Sequence, residues 1–331
     1  AGTVTLGSGG TLTSGLLTNG NILDITGGTL NLSAGGTSTA TGGLTGSGTL
    51  NINGGDLVVS AANGSLGGQT HIASGAAATL TGAGTLGSSA ITVSGDLNLN
   101  GANAAVANVL SGNGDINTNA AVTLTGNNSF SGAHHIGGAG ALTVSQAGNL
   151  GASTATVNLD SNTAQLVLNG VSGSIANELS GVSGSTIEIV NGADTSLSAD
   201  NSDFLGQYAL SGNSTLTVAS TANLGADSNV ALAGTQDRLV LGGFSGIFAN
   251  TVSGNGILQV ADSASVTLTA SHGVGSTVTV DIADATLTLA DIALFNHALT
   301  GNGTLHIDTA NNTINFGGNT GTAFAGTGDM S

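Results

Sequence analysis

Six histidines (His71, His134, His135, His272, His297 and His306) and one arginine, Arg238, are the side chains of this 331-residue chain that could shuttle a proton, ligate a transition metal or hold an anion. None of the histidines has a partner at ligand spacing, and the adjacent pair His134 and His135 would point to opposite faces of a strand. Solvent-facing or turn positions are therefore expected for them. The run Asn113-x-Asp115-x-Asn117-x-Asn119 imitates the start of a calcium loop. It has Thr118 where such a loop needs glycine and Leu124 where it needs a bidentate glutamate, so an outward-facing strand is the expectation. Gly82-Ala83-Gly84-Thr85-Leu86-Gly87 satisfies a dinucleotide fingerprint on paper, yet no helical pattern follows it. The carboxylates are scattered. Asp281 and Asp284 are the closest notable pair, with plain solvation the expected role, and Arg238 beside Asp237 is expected to make a surface ion pair worth under about 1 kcal/mol. No nucleophile elbow and no cysteine occur. The expectation is a protein that is not an enzyme, with no catalytic, cofactor or metal residues.

Composition narrows the class further. Lys+Arg is 1 against Asp+Glu 18, a formal charge of −17, so no basic cluster exists to neutralise phosphates and nucleic acid is excluded as a partner. Charged residues make up 6%, where about 25% is usual. Disorder does not explain this, because 39% of residues are hydrophobic. Gly, Ser, Thr or Asn breaks every apolar run far short of the roughly 20 residues of a spanning helix, so membrane insertion is not expected. The opening Ala1-Gly2-Thr3-Val4 has no basic or apolar leader character and the chain stops at Met330-Ser331 in mid-pattern, which suggests a segment of a longer protein.

The elements that would carry these side chains are short. Aliphatic residues alternate with Thr, Asn or Asp in Val4-Thr5-Leu6, Leu30-Asn31-Leu32, Leu50-Asn51-Ile52, Leu97-Asn98-Leu99, Leu142-Thr143-Val144, Leu216-Thr217-Val218 and Leu305-His306-Ile307. Period 2 between Gly, Ser and Asn punctuation predicts strands with one buried face. The strands recur from Leu12 to Leu30 to Leu50, and from Leu216 to Leu239 to Leu258 to Val278, at steps of about 20 residues. That period predicts an all-β parallel β-helix of roughly 16 coils, about 80 Å long at one strand spacing per coil. It would form one domain over residues 1–331, with an antiparallel sandwich or barrel as runner-up. The segment from Asp281 to Thr300 could be a helix, but Thr286-Leu287-Thr288-Leu289 favours strand.

A longer repeat overlies the coils. Residues 166–177 return at 239–250 with eight of twelve columns identical, and Leu142…Leu150-Gly151-Ala152 returns as Leu216…Leu224-Gly225-Ala226. Leu166, Leu168, Leu239 and Leu241 are expected to point inward and Val240 outward. A marker of the type Leu/Val-Ser/Thr-Gly-Asn/Ser-Gly starts at Leu44, Leu110, Val252 and Leu299, each time followed at once by a strand pattern.

Leu124-Thr125-Gly126-Asn127-Asn128-Ser129-Phe130-Ser131-Gly132, followed by Ala141-Leu142-Thr143-Val144 and Asn149-Leu150-Gly151, resembles the passenger-associated transport repeat of bacterial autotransporters. Ala133-His134-His135-Ile136 stands where that family favours Gly-Thr-Thr-Ile, and a looser copy spans residues 200–226. The whole looks like a passenger segment of the self-associating autotransporter adhesins, of the diffuse-adherence and antigen-forty-three type. The resemblance implies a right-handed parallel β-helix, type V secretion through an outer-membrane barrel absent from this sequence, and display on a Gram-negative cell surface. It further implies autoaggregation and biofilm formation with the chain as its own partner between cells, and host matrix proteins or glycans as a second partner class. A passive stalk, or a polysaccharide-processing enzyme should carboxylates cluster in a cleft, are the other readings. Outward Asn, Thr and Asp repeated on every coil would form polar ladders whose hydrogen bonds, each about 0.5–1.5 kcal/mol net, add up between aligned copies. In so acidic a chain the contacting face should be poor in Asp, but which face that is depends on coil register.

Overall fold

A computed structural model describes residues 3–19, 21–39, 43–101, 104–292 and 295–308; Ala1, Gly2, Met330 and Ser331 lie outside them. The chain divides into two compact units, Ala1–Leu166 and Val167–Ser331. The strand pairs within each unit are parallel, which replaces the antiparallel alternative with a β-solenoid.

In the first unit each turn visits three faces. Val4–Thr5, Leu23–Asp24 and Leu44–Thr45 stack on the first face. On the second, Thr11–Ser14, Thr29–Leu32, Thr49–Ile52, Thr70–Ile72, Ile91–Val93 and Leu110–Ser111 form a six-stranded sheet. The third face carries strands such as Gly55–Val59, Ala76–Leu80, Asp96–Leu99, Asp115–Thr118 and His134–Ile136. Later turns add Ala104–Val106, Ala121–Leu124 and Ala141–Val144 as a further stack. The second unit is built in the same way. Thr186–Val190, Gln207–Leu210, Asn229–Leu232 and Thr251–Gly254 are one stack. A seven-stranded sheet runs from Ser172–Ile175 through Asp194–Leu197, Thr215–Val218, Arg238–Gly242, Ile257–Ala261 and Thr279–Ile282 to Leu299–Gly301. Ser245–Ile247, Ser265–Thr269, Thr286–Ala290 and Thr304–Asp308 make a four-stranded one. The predicted strand over Thr286–Leu289 is thus present.

Register explains the period. Leu12, Leu30, Leu50, Thr70, Ile91 and Leu110 are successive partners, giving steps of 18, 20, 20, 21 and 19 residues. Leu216, Leu239 and Leu258 stack as the spacing predicts, but the next partner is Val280 and not Val278, a step of 22. Corners absorb the difference, and the described residues complete about 14 turns where an even division by 20 gives roughly 16. The long repeat is not a whole number of turns. Ser172–Ile175, in its first copy, shares a sheet with Arg238–Gly242, which opens its second.

The interior is largely aliphatic. Leu166, Leu168, Leu239 and Leu241 are fully buried, as alternation predicts. Val240 departs from expectation: it faces outward, between Thr217 and Gln259 in register, yet it is only 8% exposed because those neighbours cover it. Rings enter the interior in pairs four residues apart, Phe130 with His134, Phe204 with Tyr208 and Phe244 with Phe248, at centroid distances of 6.2, 4.7 and 6.0 Å.

The Gly-x-Gly marker has a steric cause. Its first glycine holds a positive φ in all four copies: 95° at Gly46, 103° at Gly112, 100° at Gly254 and 109° at Gly301. Its second lies against the preceding turn, so that a Cβ on Gly114 would sit 2.0 Å from the Gly95 carbonyl oxygen. Only a residue without a side chain lets the next strand close down onto its neighbour.

Candidate functional site

The side chains with most chemistry are distributed over the solenoid. His134 and His135 do point to opposite faces, and His134 is the exception to the solvent-facing expectation: it is fully buried, with Nε2 2.8 Å from Thr118 Oγ1. Burial, aided by the neighbouring His135, holds its pKa down to about 3, so it is a neutral core imidazole. His135 faces outward, and its Nδ1 lies 2.8 Å from Asp160 Oδ2. His71 and His306 take outward positions in register with Asn51 and Thr288. His272 and His297 come together, rings 5.6 Å apart, with Phe295 against both. His297 Nδ1 donates to the Val278 carbonyl and His272 Nδ1 accepts from the Val274 amide, while burial lowers both pKa values. No group of three or more His, Asp or Glu able to hold a metal occurs among the described residues.

Arg238 does not pair with Asp237. That carboxylate is buried and accepts the amides of Ser214 at 2.9 Å and Gly234 at 2.6 Å, closing a corner. Arg238 instead reaches Asp281 across an intervening strand, at 3.8 Å, while Gln259 and Thr300 each donate to the same carboxylate at 2.7 Å. Asp281 is therefore held in a network and not simply solvated. Asp284 sits at a corner with φ 53° and accepts from Asn302 Nδ2 at 2.8 Å, so the two carboxylates have separate surroundings. Gly82 to Gly87 line an open cleft of about 440 Å3 with Leu80 and Val106. The next element is the strand Ile91–Val93, so no helix N-terminus meets that cleft.

Outward side chains form ladders. On the second face of the first unit, Thr13, Asn31, Asn51, His71, Thr92 and Ser111 are successive partners. Asn51 Nδ2 donates to Asn31 Oδ1 at 2.8 Å, and Asn31 Nδ2 to Thr13 Oγ1 at 3.4 Å. On the third face Asn117 donates to Asn98 at 2.9 Å and Asn98 to Thr79 at 3.0 Å. Asn117 belongs to this ladder and Asp115 to the neighbouring row with Asp96, on one strand as the strand reading of the calcium-like run predicts, and Asp115 Oδ1 also accepts the Ala133 amide. A shallow groove of about 440 Å3 there brings together Asp96, Asp115, His135 and Asp160 with Asn98 and Asn117. Asp96 and Asp115 are register partners in this groove.

A second set of asparagines, which alternation alone does not reveal, is buried at the corners. Asn128 accepts the Leu110 amide and donates to the Asn149 carbonyl, and Asn201 does the same with Leu179 and Asn223. Asn149 and Asn223 in turn donate to Gly126 and Ala199. Residues 124–152 and 200–226, paired by their sequence likeness, thus use one hydrogen-bonding scheme. Both close on a single helical turn, Ala147–Leu150 and Thr221–Leu224. These side chains replace ladder bonds that the backbone cannot make where it turns.

No protein-family model matches the chain, and no curated protein matches it. One solved structure is similar, the TibC-catalysed hyper-glycosylated TibA55-350 fragment. The two are 15% identical over 98% of this chain and 94% of that one, with a TM-score of 0.24. At that score the similarity carries no argument.

Proposed function

We propose that this chain is a non-catalytic adhesive module of a bacterial surface protein that associates with further copies of itself. The observation that supports it best is the outward ladder of amides and hydroxyls, repeated turn after turn. Asn31, Asn51, Asn98 and Asn117 bond along the ladders, and a side-chain amide has donor and acceptor capacity left for a second surface. Single contacts of this kind are weak, and many copies held on two cells multiply them. The sequence resemblance to autotransporter passengers supplies the setting: export to a Gram-negative surface, aggregation and biofilm. Sedimentation of the purified chain over a concentration series tests the reading. Reversible association is expected, and a strictly monomeric chain would leave only the stalk. Hydrolysis of a polysaccharide, abolished by Asp96→Asn in the acidic groove, would replace both.

A further inference from the structure

In an Asn-Gly step the side-chain amide carbon lies within reach of the next backbone nitrogen, and glycine has no Cβ to hinder their approach. The sequence contains nine such steps, and in eight of them both residues are described, Asn19-Gly20 being the exception. Reaction between the two groups needs a side-chain amide free to turn, a glycine N–H free of other bonds, and solvent to take its proton. The fold meets these conditions unequally. Asn63 is buried, with Oδ1 held by the Leu44 amide and Nδ2 by the Thr85 carbonyl. The amides of Gly114, Gly170, Gly192 and Gly303 donate to the carbonyls of Val93, Val190, Gly212 and Ile282. At Asn100 and Asn255 the glycine amide is unbonded, but Gly101 and Gly256 are themselves buried. Asn100 is also tied, accepting from Asn119 Nδ2 at 3.1 Å. Among the described residues, Asn53-Gly54 alone meets all three conditions. Asn53 is exposed with no partner for its side chain, and Gly54 is half-buried with none for its N–H.

We infer that Asn53 is a site of self-modification, at which the folded chain converts an asparagine to an isoaspartyl residue. The Gly54 nitrogen gives its proton to hydroxide or water and attacks Asn53 Cγ. The Cγ–Nδ2 bond then breaks, and Nδ2 takes a proton from solvent and leaves as ammonia. Water opens the five-membered succinimide so formed. Attack at Cγ gives aspartate, whereas attack at the former main-chain carbonyl carbon leaves the backbone running through the side chain, as isoaspartate. Solvent is the only co-reactant. The position gives the change its weight. Asn53 and Gly54 form the corner between Thr49–Ile52 on the second face and Gly55–Val59 on the third. Thr49 is in register with Thr29, and Gly55 with Ala76. The Asn53 amide donates to the Leu32 carbonyl of the preceding turn at 2.7 Å. An isoaspartyl residue inserts one more carbon into the main chain between these fixed registers, and adds a carboxylate to a chain of charge −17. This chemistry is independent of the adhesive role proposed above.

The test ages the whole 331-residue chain at mildly alkaline pH, folded in buffer and unfolded in concentrated urea. Peptide mapping by mass spectrometry follows each Asn-Gly step. A chymotrypsin-type protease is used, because Arg238 is the only tryptic site. Labelling by an isoaspartyl methyltransferase with S-adenosylmethionine counts the isoaspartate formed. In the folded chain Asn53 is expected to convert at least about fivefold faster than any of the other seven described steps, and in urea the eight rates should converge to within about twofold. Asn53→Gln, whose longer side chain must close a six-membered ring, should remove the folded-state signal at this corner and leave the other steps unchanged. Faster conversion at Asn100 or Asn255 in the folded chain would overturn the assignment. So would a folded chain in which Asn53 stays intact over a time in which urea lets it react.

Discussion

Between pH 6.5 and about 3 an unfolded chain takes up a proton on His134 that the folded chain refuses, because burial depresses the folded pKa. The contribution to stability is complete above pH 6.5 and is lost as pH falls towards 3, at up to about 1.4 kcal/mol per pH unit. Burial depresses the pKa values of His272 and His297 as well, so they act with the same sign. His134→Leu should flatten this part of the acid dependence, and urea titrations of both proteins at pH 7, 6, 5 and 4 would show a wild-type slope that the variant lacks. Equal slopes would mean that His134 protonates without leaving the core. The inward direction was legible at this position, since Ile136 two residues on shares its side of the strand. The lack of a partner at ligand spacing pointed to solvent, and the strand period wins. Alternation likewise makes Leu239→Asp severe, a loss of at least about 3 kcal/mol, because a carboxylate would enter the buried apolar stack without a partner. Val240→Asp should cost less, about 1 kcal/mol, as its covering neighbours Thr217 and Gln259 are polar and near the surface. Chemical denaturation of the two variants checks the order, and a reversed order would mean the strand is placed one residue out.

Elements in this protein depend on what their corners permit. Gly114→Ala would drive a methyl group into the carbonyl of Gly95 and should lower stability by about 1–3 kcal/mol. Gly64→Ala, with nothing within 4 Å of the added carbon, should stay within about 0.5 kcal/mol of wild type. Denaturant midpoints of the two variants test this, and equal shifts would remove the steric account of the marker. The marker was visible in the sequence, as were the strands, because both are local. The turn lengths were visible where leucines mark them, 23 residues from Leu216 to Leu239 and 19 from there to Leu258, but not in the next turn, which runs 22 residues to Val280 because loops of different length join strands whose register is fixed by apolar partners above and below. The corner asparagines stand in the quoted motif, but their partners were hidden: Asn128 and Asn149 bond to carbonyls 21 and 23 residues away.

For the whole molecule, charge and contact oppose each other. At −17 per chain, two copies repel over the 8–10 Å that salt screens. Raising salt from low to physiological should strengthen association, or leave it unchanged where the contacting faces are neutral. Lowering pH towards the sequence pI of about 4.1 should strengthen it further, within the range where the fold survives. Steep loss with moderate salt in an ultracentrifuge series would point to ion pairs, and one Arg per chain cannot supply them to a like partner. The sequence contained the total charge but not its distribution, because facing is decided only when turns are put in register. Parallel stacking has one more effect, and it concerns load. Where a strand's partners lie about 20 residues away in either direction, a pull on the chain loosens one turn while those beyond it stay shut. Each release frees about 20 residues, or roughly 70 Å of slack at 3.3–3.6 Å per residue. A tethered chain of this build would give way in a staircase of small yields, lengthening under shear well before it parts.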